Sequence, residues 1–138
     1  MSSQKNKGDG YERELAKYFN RFLYNGAEVV YRAPLSGGGY NMGGGGAADL
    51  TGTPAIWVEA KRTERYSPYP AMEQAEKGIL ISRSNDIPVV INRKNRMSTG
   101  ESLVTMRLDD WNKLYAAYLR QEGHQVNTLP TVQEDPSE

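Results

Sequence analysis

Cysteine is absent from this chain, and histidine occurs once, at position 124. The first absence excludes disulfides, thiolate metal sites and a cysteine nucleophile. A lone His124 in a polar stretch near the C-terminus leaves no pair for histidine-based catalysis, so any metal would have to be held by oxygen. Long apolar runs are missing too, so no membrane span is expected. The first ten residues are polar and lack the apolar core of a secretory leader. These two absences set the expectation of a cytoplasmic protein with no membrane partner. Excess charge of one sign is also absent, with 17 Lys+Arg against 17 Asp+Glu.

What is present is one domain's worth of chain, 138 residues with 38% hydrophobic and 25% charged content, enough for a modest single core. The zero net charge hides an asymmetry. Through Arg107 there are 15 basic and 11 acidic residues, whereas from Leu108 onward there are 2 and 6. A mildly basic body followed by an acidic segment is compatible with a polyanionic partner. Glycine is abundant, with seven residues between Gly37 and Gly46. No Gly-Lys-Ser/Thr follows them and a strand comes next, so this is not a P-loop. Exposed glycine amides could approach a phosphate backbone closely; a plain loop is the simpler reading.

The stretch Asp49–Lys61 reads as two short strands joined by a Gly/Pro turn, the second ending Glu59-Ala60-Lys61. Residues two apart on a strand share a face. Lys61 therefore sits beside Glu59, while Ile56, Val58 and Ala60 turn to the core. Paired strands lie about 5 Å apart, so Asp49 can come alongside. Two carboxylates and an ammonium would then share one patch. Carboxylate oxygens suit Mg²⁺, and a lysine there could orient a water or stabilise phosphate charge. The plainer alternative is an exposed Glu-x-Lys ion pair that contributes little.

A polar arm over residues 1–9 is expected to be flexible. A helix is expected from about Gly10 to Asn25, stopped by Asn25-Gly26. Leu15, Ala16, Phe19, Phe22 and Leu23 form its apolar stripe, with Glu12 inside the stripe and Glu14 at its edge. An acid on a buried face needs a partner; alternatively, Glu12 reaches solvent from a frayed first turn. Residues 27–32 read as a strand. Beyond the Asp49–Lys61 hairpin, Ser67-Pro68-Tyr69-Pro70 reads as a break. A helix follows over 71–84, with Met72, Ala75, Ile79 and Ser82 inward and Gln74 and Lys77 on its flank. Ile87–Asn92 has the pattern of a buried strand. Arg93-Lys94-Asn95-Arg96 reads as a solvated basic turn, which could help hold DNA. Ser102–Arg107 reads as a further strand. Asp109 is expected to cap a last helix running to Glu122, whose face of Trp111, Leu114, Tyr115, Tyr118 and Leu119 is large enough for a subunit interface. Residues 123–138 are polar and acidic, and disorder is expected there.

The order helix with an acid, strand, strand with Asp, strand with Glu-x-Lys, helix, strand resembles the PD-(D/E)xK nuclease superfamily. More narrowly, it is similar to the archaeal-type and phage Holliday junction resolvases. Lys7-Gly8, Glu12-Arg13-Glu14-Leu15, Arg32, Ser36, Asp49-Leu50 and Val58-Glu59-Ala60-Lys61 carry the resemblance, which covers residues 7–92. It implies an α/β fold with a restriction-endonuclease-like core, a central mixed β-sheet flanked by helices, over residues 10–122. It also implies metal-dependent DNA endonuclease activity, with a four-way junction as substrate. Glu12, Asp49, Glu59 and Lys61 would be catalytic. Asp49, Glu59 and the Ala60 carbonyl would bind Mg²⁺ or Mn²⁺, Glu12 would act through a metal water, and Lys61 would position the attacking water. Lys7, Arg13, Arg32, Ser36, Arg62, Arg65 and Lys77 would contact DNA, and Gln74 is the polar residue expected after the site. Resolvases of this type are homodimers, because a four-way junction needs two symmetric cuts. A short chain with a glycine-rich insertion further suggests a phage product. The 36–49 segment is longer and richer in glycine than in the compact archaeal enzymes, and the last helix and acidic tail fall outside the likeness. Other readings are a non-cutting protein that binds branched DNA, a nuclease for other DNA structures, and a small interaction protein built on the Trp/Tyr helix.

Overall fold

A computed structural model describes residues 3–34 and 47–127. The elements are α1 (Ser3–Tyr24), β1 (Tyr31–Arg32), β2 (Leu50–Thr51), β3 (Ile56–Arg62), α2 (Pro68–Ser82), β4 (Ile87–Arg93), β5 (Leu103–Thr105) and α3 (Leu108–Gln121), with a 3₁₀ turn at Thr99–Glu101. This is a mixed α/β architecture. Strands β3 and β4 run parallel, joined by the α2 crossover, and β5 adds antiparallel to β4. Strands β1 and β2 form a separate antiparallel pair. Contacts divide the chain into two compact units, residues 1–106 and 107–138. No helix among the described residues is long and apolar enough to cross a membrane.

Alternation along the strands explains why the three-stranded sheet carries a helix on each face. Val58, Val89 and Ile91 pack with Tyr11, Leu15 and Ala16 of α1, joined by the flanking Ile56 and Ala60. Val90 points the other way and packs with Ala71 and Met72 of α2. The inward facing of Ile56, Val58 and Ala60 is therefore as the two-residue period requires.

Several expectations are corrected. Helix α1 begins at Ser3, seven residues before the start expected at Gly10. Gly8 and Gly10 do not stop it, because interior glycine costs only about 0.5–1 kcal/mol. Phe22 and Leu23 are exposed, and the buried face instead includes Tyr11 and Asn20. Asn20 accounts for this: its Oδ1 accepts from the Val29 and Val30 amides at 3.1 and 2.7 Å, and its Nδ2 donates to the Val30 carbonyl at 2.9 Å. A side chain thus takes those backbone bonds, and the strand expected over 27–32 shortens to Tyr31–Arg32. Helix α2 starts at Pro68, with Ser67 at its N-cap, because proline is tolerated in a first turn whose N–H groups lack helical partners. Ser82 is exposed and donates to the Gly78 carbonyl. Arg93 belongs to β4 and is buried, so it is no part of a solvated turn. Asp109 lies in the first turn of α3, whose N-cap is Arg107.

The second unit is described by itself. Helix α3 has no buried residue, and Trp111 and Tyr115 stack with ring centroids 4.8 Å apart.

Candidate functional site

The pivot of the site is Asp49, at the entrance to β2. Its carbonyl accepts from Ala33 and its amide donates to Val58, both at 2.9 Å, which ties β1, β2 and β3 side by side. Two residues further along β3, the ladder is closed by a side chain, as Asp49 Oδ2 accepts from the Ala60 amide at 2.8 Å. The hairpin expected across Asp49–Lys61 is therefore not a regular ladder, and β2 pairs with β1 instead. The carboxylate is locked between Glu59 and Lys61 by the amide that separates them. The turn behind it is equally constrained. Gly52 has φ +87°, and a Cβ there would lie 2.1 Å from the Val29 carbonyl oxygen.

Three carboxylates meet around this pivot. Glu59 is 6% exposed, and Lys61 Nζ lies 3.5 Å from its Oε2. Lys61 also donates to Gln74 Oε1 on α2 at 2.7 Å. Glu12 on α1 is 8% exposed, pairs with Arg32 Nε at 3.0 Å, and stands close enough to Asp49 for the two carboxyls to share a proton. Buried rather than frayed into solvent, Glu12 takes the partnered alternative. Two cations among three acids leave the cluster one charge short of neutrality if all are ionised. Burial raises the Asp49 pKa. Glu59 is pushed up to about 7, by burial first and then by the charge of Asp49. Low dielectric and neighbouring like charge both disfavour the ionised form.

Two residues further along α1 the charges are balanced. Arg93 grips Glu14 with Nε at 2.6 Å and Nη2 at 2.7 Å, and Thr99 donates to the same carboxylate at 2.7 Å. This grip holds Glu14 below its ordinary pKa. The Arg93 guanidinium also lies 5.4 Å from the centroid of the Tyr11 ring, whose hydroxyl bonds Ser102 at 2.7 Å. The clamp fastens α1 to the end of β4. Sequence reading missed it: the partners are 79 positions apart, and Arg93 headed a run of basic residues that reads as solvated.

The structure thus gathers Glu12, Arg32, Asp49, Glu59, Ala60, Lys61 and Gln74. It does not bring every expected residue to them. Arg62 points toward the α1 face, where its charge acts on Glu14. Arg13, Arg65 and Lys77 are exposed. Ser36, the glycine-rich stretch and the side chain of Lys7 lie outside the described residues.

Hard oxygen donors crowded closely enough to raise the pKa of Asp49 and Glu59 suit a divalent cation, but the ligand set is small. Among the described residues no group of three or more His, Cys, Asp or Glu side chains is arranged to hold a metal. Glu12 is engaged by Arg32, so a three-acid cage does not fit. A pair, Asp49 with Glu59, does fit Mg²⁺, which usually takes one or two carboxylates and keeps several waters. No protein-family model matches the chain, and neither does any curated protein or solved structure.

Proposed function

We propose that this protein is a metal-dependent, structure-selective DNA endonuclease with a restriction-endonuclease-like core, acting as a homodimer on four-way junctions by paired symmetric nicks. One observation carries the reading. The Asp49 carboxylate is bonded to the amide of Ala60, between Glu59 and Lys61, and this brings two acids of raised pKa and one ammonium onto one patch. A Mg²⁺ or Mn²⁺ held by Asp49 and Glu59 would supply charge neutralisation at the phosphate and activation of water. Lys61, steadied by Gln74 and Glu59, positions the attacking water. Glu12 orients the Asp49 side and is itself restrained by Arg32. Arg32 can exchange its carboxylate partner for a DNA phosphate.

A second reading, binding of branched DNA without cutting, is favoured by one feature: each carboxylate already has a partner within the protein. Cleavage of a labelled four-way junction and of matched duplex, with Mg²⁺ or with EDTA, separates the two. Paired nicks in the junction alone, lost in EDTA, are expected of the resolvase. Equal cutting of both substrates would keep the nuclease and remove junction selectivity. Tight junction binding without any cut would establish the second reading.

A further inference from the structure

Between α1 and the 26–32 segment, an open cleft of about 1130 Å³ runs from Arg32 to Gly26, with the buried Ala16, Asn20 and Val30 in its lining. Arg13, Lys17 and Arg21 line it at four-residue spacing, and all three are exposed. Residues four apart on a helix are neighbours, and like charges at that spacing destabilise it by about 0.2–0.5 kcal/mol per pair. Acids at the same spacing would offset this, but they are not available to the two distal cations. Arg21 has Lys17, Tyr18, Tyr24 and Asn25 at its three- and four-residue neighbours. Lys17 has only Glu14, whose oxygens are taken by Arg93 and Thr99. Among the described residues neither Lys17 nor Arg21 forms an ion pair with a carboxylate; Arg21 lies 5.2 Å from the Phe22 ring centroid. The Phe22 ring meets Arg21, and Glu28 lines the same cleft without forming an ion pair with either cation, so the stripe keeps exposed positive charge that no carboxylate among the described residues neutralises and that is open to an external anion.

Its geometry indicates which anion. The stripe is linear, and from Arg13 to Arg21 it rises about 12 Å. At about 3.4 Å per nucleotide this spans three to four steps of a duplex strand. Its near end, at Arg13 and Arg32, adjoins the acid cluster through the Arg32–Glu12 pair. We infer that Lys17 and Arg21 carry the phosphate backbone of a duplex DNA arm leading away from the cluster along α1, several base pairs from the bond to be cut. The inference rests on the nuclease reading and adds to it the path of the arm. The surface reads backbone only, since the stripe offers point charges to phosphates and no groove-reading element.

The test uses the full chain with both residues changed to Gln, which keeps helix propensity, and a Lys17→Arg/Arg21→Lys variant, which keeps the charge. Binding is measured as salt rises from 50 to 200 mM, with four-way junctions that keep three arms of 12 base pairs while the fourth, each arm in turn, is 2, 4 or 12 base pairs or a pair of single-stranded 12-nucleotide tails. About 0.9 of the slope of log K against log salt belongs to each phosphate contact. For the 12-base-pair arms the two stripes of the homodimer place four such cations on one junction, so the Gln variant should lose a slope of about 3.6 and its affinity should fall roughly 100-fold less than wild type over that range. The charge-keeping variant should restore the slope, and the difference should shrink as the arm shortens to two base pairs. An unchanged slope, a loss independent of arm length, or a loss seen only with single-stranded arms would overturn the inference while leaving wild-type cleavage, and with it the nuclease reading, intact. Failure of the wild type to bind any arm in a salt-dependent way would overturn both.

Discussion

Glu12 and Glu14 stand two residues apart on one helix, yet they belong to opposite electrostatic regimes. Glu14 is matched to a single buried guanidinium, with both oxygens occupied, and its pKa is lowered by that bond. Glu12 joins Asp49 and Glu59 in a cluster where acids outnumber cations and the carboxyl pKa values of Asp49 and Glu59 are raised. A matched pair fixes geometry. A cluster of acids with too few cations is the one in which the proposed divalent cation would bind, beside Lys61 and Arg32. The difference separates a structural acid from a candidate catalytic one more sharply than burial does.

The largest effect should come from the unmatched side. Asp49→Asn and Glu59→Gln should each reduce junction cleavage by 10²–10³-fold or more, measured in single-turnover assays. Neither change should weaken junction binding, because a repulsive carboxylate is removed. Breaking the matched side should do the reverse. Glu14→Gln leaves Arg93 buried without its counter-charge and should cost about 2–3 kcal/mol in urea unfolding, somewhat less than a fully buried pair because Glu14 keeps some solvent access.

The two clusters should also respond oppositely to pH. Glu14 has a lowered folded pKa, so its contribution is present above the unfolded carboxylate pKa and disappears as pH falls through the folded value. Glu59 has a raised one, about 7 against 4.5. Its protonated form is favoured by folding, so stability should decline as pH rises from 4.5 to 7 and stay lower above that. The Glu59→Gln variant should therefore gain roughly 1–3 kcal/mol over wild type at pH 8 and little at pH 4.5. The smallest effect should be that of metal on folding. At pH 8, millimolar Mg²⁺ should raise the wild-type melting temperature by a few degrees through mass action. The rise should be smaller at pH 5.5 and absent in Glu59→Gln.

Much of this arrangement was legible in the sequence, for physical reasons particular to each part. The two-residue period of a strand makes Glu59 and Lys61 neighbours whatever the fold, and the apolar Ile87–Ile91 run sits in the centre of the sheet, as its pattern requires. Glu12 on the apolar face of α1 left two alternatives open, a buried partner or a frayed turn reaching solvent, and its burial against Arg32 decides for the first. The clamp was illegible because no local pattern links Glu14 to Arg93. The shortening of β1 was illegible because an asparagine side chain substitutes for a strand. The lock on Asp49 also escaped notice, since a carboxylate that closes a backbone ladder leaves no periodic trace. Proline spacing misled at Ser67-Pro68-Tyr69-Pro70, where the same residues that break a helix interior open one.

Calorimetric titration of Mg²⁺ into the DNA-free protein at pH 8, beside Asp49→Asn and Glu14→Gln, tests the central contrast most directly. Saturable binding by wild type and Glu14→Gln, and its loss in Asp49→Asn, is the expected result. Equal binding by wild type and Asp49→Asn, or no binding by wild type, would contradict it.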